Sequence, residues 1–282
     1  MSRIFEALQQ LSVDTGLGED YAPTKARPQV LSTIGEAVDL DTVSCFSLPV
    51  RAESRLPTLS DPNSLAAEKY RALAAKLRQA QSRKGVKNVL TASAMRGDGK
   101  TVTSANLAIT LASHGDKTLL IDGDLHKPSL HSLLGINHPQ GFAEWAGEST
   151  SIVDYLHREQ HMPLWFLPAG NCVEQPLSKI EAPATKDLLR QLRSWFDWIV
   201  IDSPPLIPLT DSSVWAGMCD AVLLLVREGV TPKGIFAKSV EALDKSKLFA
   251  VILNDAYTRE SEYYGQYYSA STRRRLPHSE DS

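Results

Sequence analysis

The chain has 282 residues and a net charge of −3, from 30 Lys+Arg against 33 Asp+Glu, a balance with no electrostatic footprint for a nucleic-acid partner. Its three cysteines, Cys45, Cys172 and Cys219, lie far apart without metal-ligand spacing, so neither a disulfide framework nor a zinc site is expected, and the pattern fits a reducing compartment. No apolar run approaches the ~18–20 residues of a membrane-spanning helix, and the start MSRIFEALQQLSVD is too polar for a secretory signal; the expectation is a cytoplasmic protein that meets a membrane only through a partner.

In chain order, residues 1–60 read as a flexible segment. Ile4, Leu8 and Leu11 are at helical spacing and mark a short candidate docking helix; scattered prolines (Pro23, Pro28, Pro49, Pro57) follow without sustained periodicity. Residues 61–256 read as one domain. DPNSLAAEKYRALAAKLRQAQSRKG is a helix whose start can be capped by Asp61 or Ser64, with Pro62 suited to a first turn. Strand patterns then appear at VKNVLTAS, KTLLIDGD, LWFLPAG, DWIVIDSPP, AVLLLVRE and FAVILN. Helical stretches between them cover Thr101–His114, Ala184–Phe196, Asp211–Gly217 and Lys233–Lys245. Short continuous apolar strands separated by helices predict an α/β fold, a doubly wound, mostly parallel sheet covered on both faces. Residues 257–282 are polar and read as a tail. Five of the eight tyrosines fall between Tyr257 and Tyr268.

The segment SAMRGDGKT, Ser93–Thr101, follows the first of those strands and opens a helix, the context a phosphate loop requires. Glycines at 97 and 99 allow close backbone approach, so successive N–H groups can point at phosphate oxygens, and the helix start adds partial positive charge. Gly97, Asp98, Gly99, Lys100, Thr101 and Val102 are the candidate nucleotide-binding residues: Lys100 for the β/γ-phosphates and Thr101 for Mg²⁺. The consensus position for a further glycine is Ala94.

Two more strands end in acid. TLLIDGDL places Asp122 and Asp124 on one strand face, 22 residues after Lys100, and WIVIDSPP ends in Asp202. Ligands of open parallel sheets sit beyond the C-terminal strand ends, so the three carboxylates are expected on the edge where the loop lies. One such Asp alone would read as a helix cap; with the loop, they read as a site for a nucleotide and Mg²⁺.

These residues resemble the bacterial tyrosine kinases of capsule and exopolysaccharide synthesis, within the P-loop class that also contains the septum-site and plasmid-partition ATPases. The similarity covers about residues 61–270, including DSPPLIPLTDSSVWAGMCDAVLLLVREGVTPKG. That family's loop often reads Ser-Ala-Gly-Pro-Gly-Glu-Gly-Lys-Ser/Thr, which accommodates Ala94, and the signature lysine of partition ATPases is Met95 here. The resemblance implies that Lys100 and Thr101 bind phosphate and Mg²⁺, that Asp122 and Asp124 handle the metal and activate the tyrosine hydroxyl, that Asp202 holds the metal, and that Asn254 contacts the adenine edge. A carboxylate accepting a tyrosine proton is sensible chemistry; Asp124 is the first choice and Asp122 the second. It further implies autophosphorylation in trans on Tyr263, Tyr264, Tyr267 and Tyr268, a membrane-embedded chain-length regulator as activator, homo-oligomerisation and a cognate tyrosine phosphatase. Two departures stand out: the motif Asp-x-Asp-x-Arg has His126 in place of its Arg, and the subunit-contact motif Glu-x-x-Arg-x-x-Arg keeps Glu68 and Arg71 but has Ala74. The alternatives are a partition-type regulatory ATPase and a nucleotide-binding scaffold without turnover.

Overall fold

The computed structural model describes residues 39–40, 43–49, 55–137, 139–146, 150–171, 175–208 and 210–256. The candidate docking helix at residues 4–11 and the tail tyrosines lie outside the described residues. The chain divides into two units, Met1–Asp39 and Leu40–Ser282, and every element below belongs to the second.

In chain order the elements are β1 (Ser44–Phe46), α1 (Pro57–Ser60), α2 (Leu65–Lys84), β2 (Asn88–Ser93), α3 (Lys100–Ser113), β3 (Thr118–Asp122), α4 (Leu130–Leu134), α5 (Phe142–Trp145), β4 (His157–Glu159), β5 (Leu164–Leu167), α6 (Pro176–Glu181), α7 (Pro183–Trp195), β6 (Trp198–Asp202), α8 (Asp211–Met218), β7 (Ala221–Arg227), α9 (Lys233–Glu241) and β8 (Leu248–Asn254). The sheet has eight strands in the order β1-β4-β5-β3-β6-β2-β7-β8. All neighbours pair in parallel except β4 and β5. The six strand patterns of the sequence are β2, β3, β5, β6, β7 and β8. The sheet also reaches back into the segment expected to be flexible: Ser44–Phe46 form β1 and pair with His157–Glu159, while Phe46, Leu48 and Leu56 are buried in the core.

Alternation along the strands explains the run of apolar residues. Val89, Leu120, Val200 and Leu223 share one core with Leu107, Leu111, Ala74 and Leu77 of α3 and α2. Their strand neighbours Leu90, Leu119, Ile121, Ile199, Ile201, Val222 and Leu224 point the other way and are buried too, so both faces are covered. α2 is bounded as its sequence dictates: the Ser64 side chain accepts from the Ala67 N–H, Glu68 sits in the first turn, and Gly85 closes the helix in the left-handed region at φ 69°. Ser64 is therefore the cap, with Asp61 and Pro62 before it.

The strand order places β2 at the centre of the phosphate-loop edge, flanked by β6 and β7, with β3 beside β6. Residues at the ends of β2, β3, β6 and β7 thus meet at one edge.

Candidate nucleotide and metal site

The loop between β2 and α3 is tied down at both ends. The Ala94 N–H donates to the Leu225 carbonyl at 3.1 Å, and the Ser93 hydroxyl to the Met95 carbonyl at 2.7 Å. Asp98 is buried and both its oxygens are used: Oδ2 accepts from the Met95 N–H at 2.7 Å and Oδ1 from the Thr231 hydroxyl at 2.9 Å. Its carboxylate holds the loop's shape. Gly97 and Gly99 sit at φ 91° and 97°, a region that L side chains rarely adopt. At Gly99 space is also closed, since a Cβ would lie 2.2 Å from Asn254 Nδ2; that amide donates to the Asp98 carbonyl at 2.9 Å.

Lys100 and Thr101 open α3. Lys100 is buried. The Thr101 hydroxyl donates to Asp202 Oδ2 at 2.7 Å, and the Ser104 hydroxyl, one turn on, lies 3.1 Å from Asp202 Oδ1; Ser104 also bonds Thr91 of β2. Asp202 is wholly enclosed, and burial raises its pKa to about 6, with Lys100 and the Thr101 hydrogen bond opposing that rise.

The two carboxylates of β3 divide. Asp122 ends the strand in register with Asp202, is buried, and turns inward: Oδ2 accepts from the Ser129 and Leu130 N–H groups at 3.2 and 3.1 Å, capping α4, and Oδ1 from the Asp124 N–H at 3.3 Å. Burial first, then repulsion from Asp202, pushes its carboxyl well above the usual range against the Leu130 hydrogen bond. Asp124 lies past the strand end and does not share the strand face the sequence suggested; it is half-buried, accepts from the Lys127 N–H at 3.0 Å, and opens into a cavity.

That cavity, of 540 Å³, is lined by Gly97, Gly99, Lys100, Thr101, Val102 and Asp124, with Arg55, Arg96, His126 and Lys127 among the other walls. Sequence reasoning missed Arg55 and Arg96. Arg96 was visible inside the loop motif. Arg55 is brought in by Asn106, a buried polar residue of α3 whose Nδ2 donates to the Arg55 and Val102 carbonyls at 3.0 and 2.8 Å and whose Oδ1 accepts from the Thr58 hydroxyl at 2.8 Å. A polar residue mid-helix among apolar ones was the available signal. His126, in the place of the motif's arginine, reaches Asp211 Oδ2 at the start of α8, 3.0 Å away.

Asn254 does not line this cavity. It belongs to a second one, of 440 Å³, between α2, α3 and the end of β8, with Leu65, Tyr70, Leu73, Thr103 and Ile252. Lys100 to Val102 thus wall the first cavity and Thr103 the second, so the two cavities lie on either side of the start of α3.

A family model described as an AAA domain, AAA_31, matches residues 87–230, half of the chain. The chain is 29% identical over 219 residues to the tyrosine-protein kinase YwqD of Bacillus subtilis, covering 77% of this chain and 92% of that protein. It is 32% identical over 257 residues to the succinoglycan biosynthesis transport protein ExoP of Rhizobium meliloti, covering 84% of this chain but 32% of that larger protein. Among solved structures, the chimerical protein CapA2B2 superposes with a TM-score of 0.69 at 26% identity, over 75% of this chain and 96% of that one. The chain belongs to the AAA domain family of P-loop proteins and, within it, to the bacterial tyrosine kinases.

Proposed function

We propose that this chain is an ATP-dependent protein tyrosine autokinase that phosphorylates Tyr263, Tyr264, Tyr267 and Tyr268 of its own tail and serves exopolysaccharide or capsule production. The observation that carries the reading is the shared cavity: the phosphate loop with Lys100 and Thr101 on one wall, Asp124 on the other.

The donor set suits Mg²⁺. The Thr101 hydroxyl and Asp202 are hard oxygen donors held together, and no cluster of three or more His, Cys, Asp or Glu that could hold a metal exists among the described residues. Phosphate and water oxygens would therefore complete the shell, the usual arrangement for this ion. When bound, the ion neutralises charge on the phosphates. Phosphoryl transfer otherwise needs positioning and further positive charge. The N–H groups from Gly97 to Thr101 and the Lys100 ammonium bind the phosphate chain, and Arg55, Arg96 and Lys127 add cations at the rim. Asn254 lies in the second cavity, whose Leu65, Tyr70, Leu73 and Ile252 offer a surface for a purine base. Asp124 takes the proton of the attacking tyrosine hydroxyl, whose ordinary pKa is about 10. Asp122 positions Asp124 through the bond to its N–H and holds α4 in place.

The reading includes a membrane-embedded chain-length regulator as activator, a homo-oligomer in which tails are phosphorylated in trans, and a phosphatase that resets them. The match of most of this chain to a third of a transport protein supports such a pairing. No helix among the described residues is long and apolar enough to cross a membrane; the reading places the kinase in the cytoplasm, recruited by its partner.

The test is intact-mass and tryptic mass spectrometry of the full chain after Mg²⁺-ATP, beside Lys100→Met and the fourfold variant Tyr263/Tyr264/Tyr267/Tyr268→Phe. Phosphotyrosine on the wild-type tail, missing from both variants, is expected. A wild-type tail that stays unmodified even with the membrane activator present would overturn the kinase and leave the ATPase.

A further inference from the structure

We infer that Arg227 and Asp255 form a clamp that sets the direction in which the tyrosine-bearing tail leaves the domain and ties that root to the phosphate loop. The inference rests on the autokinase reading.

β8 ends at Asn254, two residues before the last described position, Ala256, and the tyrosine-rich segment follows directly. Between them Asp255 has φ 57°, and among the described residues it is the one non-glycine with positive φ. Aspartate tolerates this region better than most side chains, yet it stays unfavourable without a partner. The partner is Arg227, the last residue of β7, whose Nε and Nη2 both donate to Asp255 Oδ2 at 2.9 and 2.7 Å. The other six residues of β7 are buried and Arg227 alone is exposed, so core packing gives no reason for an arginine there.

Two hydrogen-bonded routes run from this clamp to the phosphate loop. The Arg227 N–H donates to the Thr231 hydroxyl oxygen at 2.8 Å, and that hydroxyl donates to Asp98 Oδ1. The Glu228 N–H donates to the Asn254 carbonyl at 3.0 Å, and the Asn254 side chain donates to the Asp98 carbonyl. Asp98 thus receives both. An exposed ion pair is ordinarily weak; this one acts on a single backbone turn, where little energy suffices to choose a direction. Direction matters because reach is short: Tyr263 lies eight residues past Asp255, at most roughly 28 Å of extended chain. Arg227 and Asp255 are positioning residues for delivery of the acceptor.

The experiment uses the full chain and Arg227→Ala, with Arg227→Lys as the conservative variant. Tail autophosphorylation is expected to slow about 3–10-fold in Arg227→Ala, with Arg227→Lys in between. Phosphorylation of an added peptide carrying residues 257–271, and nucleotide affinity, should stay unchanged. A second arm needs no catalysis: amide exchange at residues 254–256 should speed up at least about threefold in Arg227→Ala while the exchange of β2 and β6 is unmoved, and nucleotide should slow it in both, since the routes to the phosphate loop use the Arg227 and Glu228 backbone N–H groups. Equal slowing of tail and peptide, or unchanged exchange at the tail root, overturns the clamp. A wild-type tail that takes no phosphate sinks the autokinase reading instead, and the exchange arm then decides the clamp by itself.

Discussion

The two loops that face each other across the phosphate-loop cavity differ most in how far they are buried. The phosphate loop, from Ser93 to Thr101, is fastened on several sides, with Leu225 of β7, Thr231 ahead of α9, Asn254 of β8 and Asp202 of β6 all bonding it. Asp98 and Lys100 within it are buried. The loop after β3 is more exposed: Asp124 is half-buried and His126, Lys127 and Ser129 are exposed, while the inward-facing Asp122, Gly123 bonded to Asp202 and Trp215, and the His126–Asp211 pair hold it. The difference teaches a division of labour. Nucleotide binding rewards a cradle fixed before the ligand arrives, while on the proposed reading an acceptor tyrosine has to enter and leave past the second wall.

The comparison breaks most sharply on the rigid side. Lys100→Met should lower kcat/KM for transfer about 10³-fold or more with the fold intact, as steady-state kinetics and circular dichroism would show. Asp202→Asn tests the same wall by stability. Burial holds Asp202 at about 6 against an ordinary 3.8. Without metal, the folded chain therefore binds a proton between about pH 4 and 6 that the unfolded chain has released, and stability falls as pH rises through that window. The variant should be more stable than wild type at pH 7.5 in chelator, by up to about 3 kcal/mol, and nearly equal at pH 4; saturating Mg²⁺-ATP should reverse the order, as thermal unfolding would report. Gly99→Ala should cost about 1–2 kcal/mol, because φ 97° and the Asn254 amide both oppose a Cβ; denaturant titration measures it. Arg96→Ala, at the exposed rim, should raise the nucleotide Kd only about 2–5-fold, an effect that fades with salt.

Most of the sheet was legible because buried parallel strands announce themselves: LLI of TLLID and WIVI of WIVID are continuous apolar runs that stop at an acid. β1 and β4 were not. SCF and HRE carry no pattern of their own, and contacts such as Arg158 over the Trp165 ring, 5.6 Å from its centroid, accompany their edge of the sheet. The loop glycines and the lysine could be named from spacing alone, since their geometry is local. The different fates of Asp122 and Asp124 depend on where the strand ends and where α4 begins, and the inward turn of Asp98 depends on Thr231, 133 residues away. Spacing carries neither fact. Arg55 reaches the cavity through Asn106, 51 residues on, which no local motif encodes.

The most direct test of the divided site is Asp124→Asn, with nucleotide affinity and tyrosine phosphorylation measured on the same preparation. The account predicts a Kd for Mg²⁺-ATP within about threefold of wild type and a transfer rate lower by roughly 10²–10⁴. Transfer that persists near the wild-type rate, or an affinity that collapses along with it, would contradict the assignment of binding to one wall and proton acceptance to the other.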